Sequence, residues 1–221
     1  TGKQIAAIVI FLDITENKLA EAELKKIEWL LQPRKEKHEI QIPDYGDLTA
    51  INQERTILDS VGKDVLHEIV SDYLSLLETS AAVYEKNGDY AVGIFSSEWC
   101  QFMDCSSRAL CKSKDNKKAL KSGKWLCHES CWADASNQSI QKNKAVDIEC
   151  SGGLHIYAIP IRANNEVIGA INFGYGNPPT EENKLRELAS KFNVSADKLT
   201  NLAQRYETRP AFIIDVAKER L

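Results

Sequence analysis

Six cysteines, all that the chain has, lie between Cys100 and Cys150. Trp99 and Trp132 directly flank Cys100 and Cys131, and Trp125 stands two residues before Cys127. Isolated cysteines are usually small core residues, whereas confinement to under a quarter of the chain is what selection for thiol chemistry would leave. That chemistry is metal ligation, redox switching or disulfide stapling. The spacing is Cys100-x4-Cys105-x5-Cys111-x15-Cys127-x3-Cys131-x18-Cys150. On a helix, the i, i+4 relation of Cys127 and Cys131 puts both thiols on one face, one turn apart. Two ligands from one turn and one or two from a nearby loop make a tetrahedral thiolate site with metal–sulfur distances of about 2.3 Å, which suits zinc. An iron–sulfur cluster uses the same ligands. The preferred metal set is Cys105, Cys111, Cys127 and Cys131, with Cys100 and Cys150 as replacements. A reversible thiol switch and ordinary packed cysteines are the competing readings, and haem attachment through a cysteine stays open.

Other residues offer less. His128 adjoins Cys127 but points to a different helix face from Cys131, which reads as an ordinary polar histidine. His155 alternates with Tyr157 and Ile159, so it faces either a pocket under a sheet or a half-buried strand surface. His67-Glu68 has no second histidine four residues on and no ATP-binding glycine motif after it, so neither a zinc protease nor a kinase reading survives. Gly152-Gly153 and Gly174-Tyr175-Gly176 lack the spacing of a phosphate loop and read as turn glycines. Trp99, Phe102, Trp125, Trp132, His155, Tyr157 and Phe173 could wall an apolar ligand pocket, with core packing as the alternative for each.

At 221 residues the chain is long enough to bury a core without staples. Its formal charge of −4 argues against a nucleic-acid or anionic-membrane partner, either of which calls for a basic face. The longest apolar run, Ile5 to Leu12, is too short to span a bilayer, and no secretory cleavage pattern follows it. A reducing, cytoplasmic setting is the expectation, and there clustered cysteines read as metal or redox ligands before disulfides.

The elements that must position these residues follow from periodicity. Ile5–Leu12 suits a buried strand beginning almost at Thr1, so the chain reads as a piece of a longer polypeptide. Thr15 is placed as the N-cap of an amphipathic helix whose stripe is Leu19, Leu24, Ile27, Leu30 and Leu31, stopped by Pro33. A lone helix of this length is marginal, so it is expected to pair in a homodimer. Residues 33–50 read as linker and Asn52–Leu77 as helix. Ala81–Tyr84 and Tyr90–Phe95 form a strand pair around Asn87-Gly88-Asp89, and Leu154–Arg162 and Val167–Tyr175 flank Asn164-Asn165 in the same way. Beyond Pro178-Pro179 the pattern is helical to the end, broken at Asn193–Ser195 with Ser195 as N-cap. Leu188–Leu199 has the outline of a helix-turn-helix, but its second helix carries little positive charge and reads as a cap on the sheet.

An apolar strand followed by Asp13-Ile14-Thr15-Glu16-x-Lys18 and an amphipathic helix resembles the carboxy-terminal end of a PAS domain with its signalling helix. From about Ile57 to Leu221 the chain resembles the PocR-type sensory domain, a PAS-like ligand-binding module of two-component kinases, diguanylate cyclases and transcriptional regulators. The matching stretches are Leu74–Tyr84, Trp99-Cys100, Cys127-His-Glu-Ser-Cys131, Cys150-Ser-Gly-Gly-Leu154, Ala158-Ile-Pro-Ile161 and Val167-Ile-Gly169. The resemblance implies an α+β fold, a PAS/GAF-like antiparallel sheet with flanking helices behind an amphipathic linker helix. It divides the chain into 1–32, 33–50 and 51–221. It also implies a small organic ligand, simple hydrocarbon derivatives included, and puts Cys100, Cys131 and Cys150 at the family's usual cysteine positions, an alternative ligand set. Ser151 stands where the family often has histidine, and Cys105, Cys111 and Cys127 are additions.

The leading expectation is a signal-input module, without catalysis of its own, that relays a ligand or metal state to an output domain of the same polypeptide. A cysteine-ligated zinc structural domain is the alternative. A zinc-dependent enzyme fragment comes third, since it needs a carboxylate beside an open metal position and offers only Glu129 and Glu149.

Overall fold

The computed structural model describes residues 13–31 and 44–221. The strand expected at Ile5–Leu12, the stop at Pro33 and most of the expected linker lie outside these residues. The chain divides into two compact units, Thr1–Glu36 and Lys37–Leu221.

The first unit carries helix α1 (Thr15–Leu31). Thr15 is its first helical residue rather than its cap, because the Thr15 N–H donates to Asp13 Oδ1 at 2.9 Å. Hydrogen bonds from the Thr15 side chain and then its backbone hold the Asp13 carboxyl below the usual carboxylate range. Leu19, Leu24 and Ile27 of the expected stripe are exposed.

The second unit is built on a five-stranded antiparallel sheet in the order β2-β1-β5-β4-β3. Strands β1 (Ser80–Glu85) and β2 (Tyr90–Phe95) flank the expected Asn87-Gly88-Asp89 turn. Strands β4 (His155–Ala163) and β5 (Glu166–Tyr175) meet at Asn164-Asn165, whose φ angles of 50° and 67° make the two-residue turn that suits hairpin twist. The edge strand β3 (Val146–Glu149) escaped the sequence reading, since four residues give too little alternation to register. Every residue of β1 is buried, as expected for a strand covered on both faces.

The segment expected as one helix over Asn52–Leu77 is two, α2 (Thr56–Val61) and α3 (Lys63–Leu77). Gly62 breaks it with φ +88°, a conformation other residues resist. The last part of the expected linker is packed rather than loose: a 3-10 turn spans Leu48–Ile51, Leu48 is buried, and Tyr45 meets Trp125 edge-on at 4.8 Å. Buried Glu85, at the end of β1, fixes α2 to the sheet. Its carboxylate accepts from the Ile57 and Leu58 N–H groups at 2.8 and 3.0 Å and from Asn52 Nδ2 at 3.1 Å.

Two layers enclose the sheet. Helix α3 covers one face and α10 (Ala211–Arg220) packs on α3. The other face carries α4 (Glu98–Leu110), α5 (Asn116–Leu120) and a helix running from Leu126 to Lys142. This last helix is α-helical over α6 (Leu126–Glu129), π-helical over Ser130–Ser136 and α-helical again over α7 (Asn137–Lys142). Helices α8 (Glu182–Phe192) and α9 (Ala196–Arg205) pack on α4 through Leu185, Phe192, Leu199 and Leu202, so the expected cap sits on a helix. Ser195 is at the N-cap position but makes no side-chain cap bond. A second break, ahead of Pro210, separates α9 from α10. No described helix is long and apolar enough to cross a membrane.

Replacing Glu85 by Gln keeps its volume but puts an NH2 group where one carboxylate oxygen accepts, facing either the Ile57 N–H or the Leu58 N–H and Asn52 amide. The expected cost is about 2–3 kcal/mol, from weakened charge-assisted bonds and mispaired buried donors. It is read as a lower urea midpoint at unchanged denaturant slope.

Candidate functional site

Four cysteines from four chain positions line one small cavity: Cys100 on α4, Cys127 on α6, Cys131 in the π-helical segment and Cys150 after β3. The cavity measures about 30 Å³, and Ser80, Phe95, Trp99, Met103, Gly152, Leu154, His155, Ile156 and Gly174 complete its wall.

Each thiol is positioned by hydrogen bonds around it. Ser97 caps α4, its side chain accepting from the Cys100 N–H at 3.0 Å. Trp99, Cys100 and Met103 then fall on the buried face of α4, with spacings of three and four residues. The Cys127 N–H donates to Ser107 Oγ at 3.4 Å. The Cys131 carbonyl accepts from Asn172 Nδ2 on β5 at 3.0 Å, and the same amide donates to Ser136 Oγ at 2.8 Å. A widened helical turn of this kind often marks a site. Cys150 opens a tight turn in which its N–H donates to the Leu154 carbonyl at 2.6 Å and its carbonyl accepts from Gly153 at 2.9 Å. Gly153 has φ +81°, and a Cβ there would lie 2.8 Å from Pro179 Cδ. The Trp99 indole donates to the Gly152 carbonyl at 3.1 Å, tying this turn to α4.

Burial sets the protonation of the wall. It pushes the Cys100 thiol up to about 12, raises Cys127 and Cys131 well above the ordinary thiol range, and raises Cys150. The thiols also oppose one another's ionisation. The cavity therefore presents neutral, soft S–H groups. Sulfur donors are right in type for zinc or an iron–sulfur cluster. Among the described residues, however, no three His, Cys, Asp or Glu side chains form a group that could hold a metal ion.

The preferred set is thus rearranged, while Cys100, Cys131 and Cys150, the alternative set implied by the resemblance, all line the cavity. Of the preferred metal set, Cys127 and Cys131 reach the cavity together, as their helical spacing required, joined by the two replacements Cys100 and Cys150. Cys105 is exposed on α4, and Cys111 ends that helix, its thiol 3.8 Å from the Ser107 and Ala119 carbonyls. Of the expected ligand-binding residues, Trp99 and His155 line the cavity. Phe102 is half-buried under Lys198, Trp125 is locked to Asp104, and Trp132 packs against Gly88 and Tyr84. Tyr157 and Phe173 pair on the opposite sheet face, where Tyr73 stacks on Phe173. Glu129 and Glu149 do not line the cavity. Ser80, Phe95, Met103, Leu154 and Ile156 were not anticipated; the spacing of Met103 from Trp99 and Cys100 was the available signal.

Two buried polar groups lie beneath the site. His128 Nδ1 shares a hydrogen bond with Tyr90 Oη at 3.0 Å, Tyr90 Oη accepts from Tyr84 Oη at 2.9 Å, and burial lowers the imidazole to about 4. Asp104 accepts from Tyr45 Oη at 2.5 Å and Trp125 Nε1 at 2.7 Å. Burial outweighs these bonds and the nearby Arg108, raising its carboxyl to about 6.

The antiparallel sheet and its flanking helices form an α+β fold with four thiols gathered at one cavity. The sequence family described as the sensory domain found in PocR matches residues 59–211, more than half of the chain, and the protein belongs to that family. No curated protein matches the chain. A solved structure described as the GAF domain/HD domain protein from Geobacter sulfurreducens is similar over 70% of this chain and 100% of that one, with 12% identity and a TM-score of 0.30.

His128 and Asp104 act on acid stability with opposite signs. His128 falls from 6.5 to about 4 on folding, so its contribution is intact above 6.5 and is lost as pH falls toward 4. Asp104 rises from 3.8 to about 6, so the fold gains as pH falls through 6 toward 3.8. The two largely offset. Asp104→Asn removes the second, so between about pH 6.5 and about pH 4.5 this variant is expected to lose about 2 kcal/mol more than wild type in urea unfolding.

Proposed function

We propose that this chain is the signal-input module of a cytoplasmic, multidomain signal transduction protein such as a sensor histidine kinase. Its thiol-lined cavity takes a small, uncharged, largely apolar organic molecule. The observation that carries this reading is a wall of apolar side chains and four thiols that burial keeps neutral. A charged ligand would meet the same desolvation cost that suppresses the thiolates. A cavity of about 30 Å³ has room for on the order of two water molecules, which limits the ligand to a few heavy atoms unless the walls yield. Binding biases sheet–helix packing, and the output domain receives that bias as a population shift. The module itself carries no catalysis.

A metal centre is the second reading, favoured by the convergence of four of the six cysteines on one cavity. It requires the thiols to lose protons and close inward. A closed four-thiolate site would hold structure, as in a zinc domain, whereas three ligands would leave a position open for sensing.

The experiment is metal and acid-labile sulfide analysis of protein purified without oxygen, followed by thermal unfolding with short-chain alcohols, aldehydes and ketones. Metal-free protein stabilised by one of these, with the effect lost in Cys131→Leu, is the expected result; saturation at a hundred times Kd adds about 2.7 kcal/mol. Stoichiometric zinc, or iron with sulfide, lost in Cys131→Ser, transfers the assignment to the metal reading. No metal and no shift with any probe overturns both.

Helix α1 is proposed to pair with a second copy, since Leu19, Leu24 and Ile27 are 63%, 58% and 51% exposed and a single amphipathic helix is marginal alone. Light scattering should give a dimer for the whole chain and a monomer for Leu24→Lys/Ile27→Lys; a wild-type monomer rejects the pairing.

A further inference from the structure

The last helix is held lightly along its length and firmly at one point. Ile213 and Ala217 are the buried residues of α10. The segment before it is tied to the end of α3 by the Arg209–Glu78 ion pair at 2.5 Å. Near its end, Lys218 Nζ donates to Asp147 Oδ2 at 2.6 Å and to Tyr175 Oη at 2.9 Å. The ammonium also lies 4.0 Å from the Tyr175 ring centroid and 5.2 Å from that of Tyr157. Tyr175 Oη closes the cluster by donating to Asp147 Oδ1 at 2.6 Å. An ammonium with a carboxylate and two aromatic faces is a well-defined seat, and it fastens α10 to β3, β4 and β5 together.

His155 joins this seat to the cavity. It lines the cavity and is the first residue of β4, directly after the Cys150–Leu154 turn. Its ring stacks on Tyr175 with centroids 5.2 Å apart and planes at 29°, and its Nδ1 lies 3.8 Å from Asp147 Oδ1. Gly176 closes over it, since a Cβ there would sit 3.6 Å from His155 Cδ2. One residue therefore borders the cavity and, through its ring, touches both partners of Lys218.

We infer that His155 couples the cavity to the terminal helix, with the Lys218 seat as a latch that a filled cavity loosens. This rests on the reading of the cavity as the input site. Filling the space beside Cys150 moves the turn that carries His155, the ring shifts against Tyr175 and Asp147, and Lys218 loses its seat. With few other buried anchors, α10 opens locally more often. Coupling is reciprocal, so loosening the latch tightens occupancy of the cavity.

The test needs no ligand. In Gly152→Ala the added methyl lies 3.7 Å from Cys150 Sγ and 3.9 Å from Met103, ordinary contacts that fill cavity space without a clash. Hydrogen exchange of α10 amides is followed in the whole chain, with β5 amides as internal reference. Lys218→Met, which keeps the stem and removes the ammonium, should speed α10 exchange about tenfold. Gly152→Ala should speed it about fivefold while β5 is unchanged, and should add nothing in a His155→Ala or Lys218→Met background. No change in α10 on Gly152→Ala, or an equal change without His155, overturns the coupling. If β5 exchange rises in step, Cys150→Met, which likewise adds volume at the cavity wall, replaces Gly152→Ala in the same cycle, with the same outcomes decisive. Failure here leaves the ligand and metal titrations unaffected, so it is distinguishable from failure of the cavity reading.

Discussion

The side chain of Asn172 joins the central strand of the sheet to the widest turn of the helix that crosses it. A helical carbonyl has a second lone pair that can accept from outside the helix. In the π-helical turn at Ser130–Ser136, the buried Asn172 amide donates to both the Cys131 carbonyl and the Ser136 hydroxyl. Because β5 lies between β1 and β4, whatever is fastened to it is fastened to the whole sheet. Cys131 is thereby held over the strands, and the other three thiols are brought to it by α4, α6 and the turn after β3. A buried amide donor left unpaired costs about 1–3 kcal/mol, so the Asn172 side chain disfavours helix registers that would carry Cys131 and Ser136 away from it.

The electrostatics of this interior favour neutrality. No lysine or arginine lines the cavity. Four thiols packed close to one another oppose each other's ionisation, and burial raises all four. Such cysteines are poor nucleophiles and behave as small polarisable hydrophobes. His128 and Asp104 beneath them follow the same rule, one kept neutral and the other pushed toward its neutral form. A divalent metal would reverse the balance by displacing the protons, so neutral ligand and metal are competing solutions to one desolvation problem.

The parts of the second unit differ in how firmly they are held. Strand β1 is buried throughout, and Glu85 locks α2 to it with two hydrogen bonds and takes a third from Asn52. Helix α10, by contrast, has two buried residues and a polar cluster at its end. Elements that move in signalling come from the weakly held end of this range.

The sequence by itself determined what depends on near neighbours. Asn87-Gly88-Asp89 and Asn164-Asn165 turned the two hairpins because left-handed backbone is a property of those few residues, and the spacing of Cys127 and Cys131 put them on one helix face before any contact was known. The same local logic failed at Gly62, where an apolar stripe ran through a break, and at β3, which is defined by its pairing with β4 rather than by its own four residues. Spacing could not decide which cysteines share a cavity; the family resemblance grouped Cys100, Cys131 and Cys150, and the tertiary structure adds Cys127 to them. Cys100 and Cys105 lie five residues apart on α4, which sends them to different faces once the helix is seated. Cys150 joins only because β3, paired at the sheet edge, brings its turn back under α4. Choosing among six thiols was a question of which surfaces the sheet and helices bury together, and burial is a property of the assembled chain.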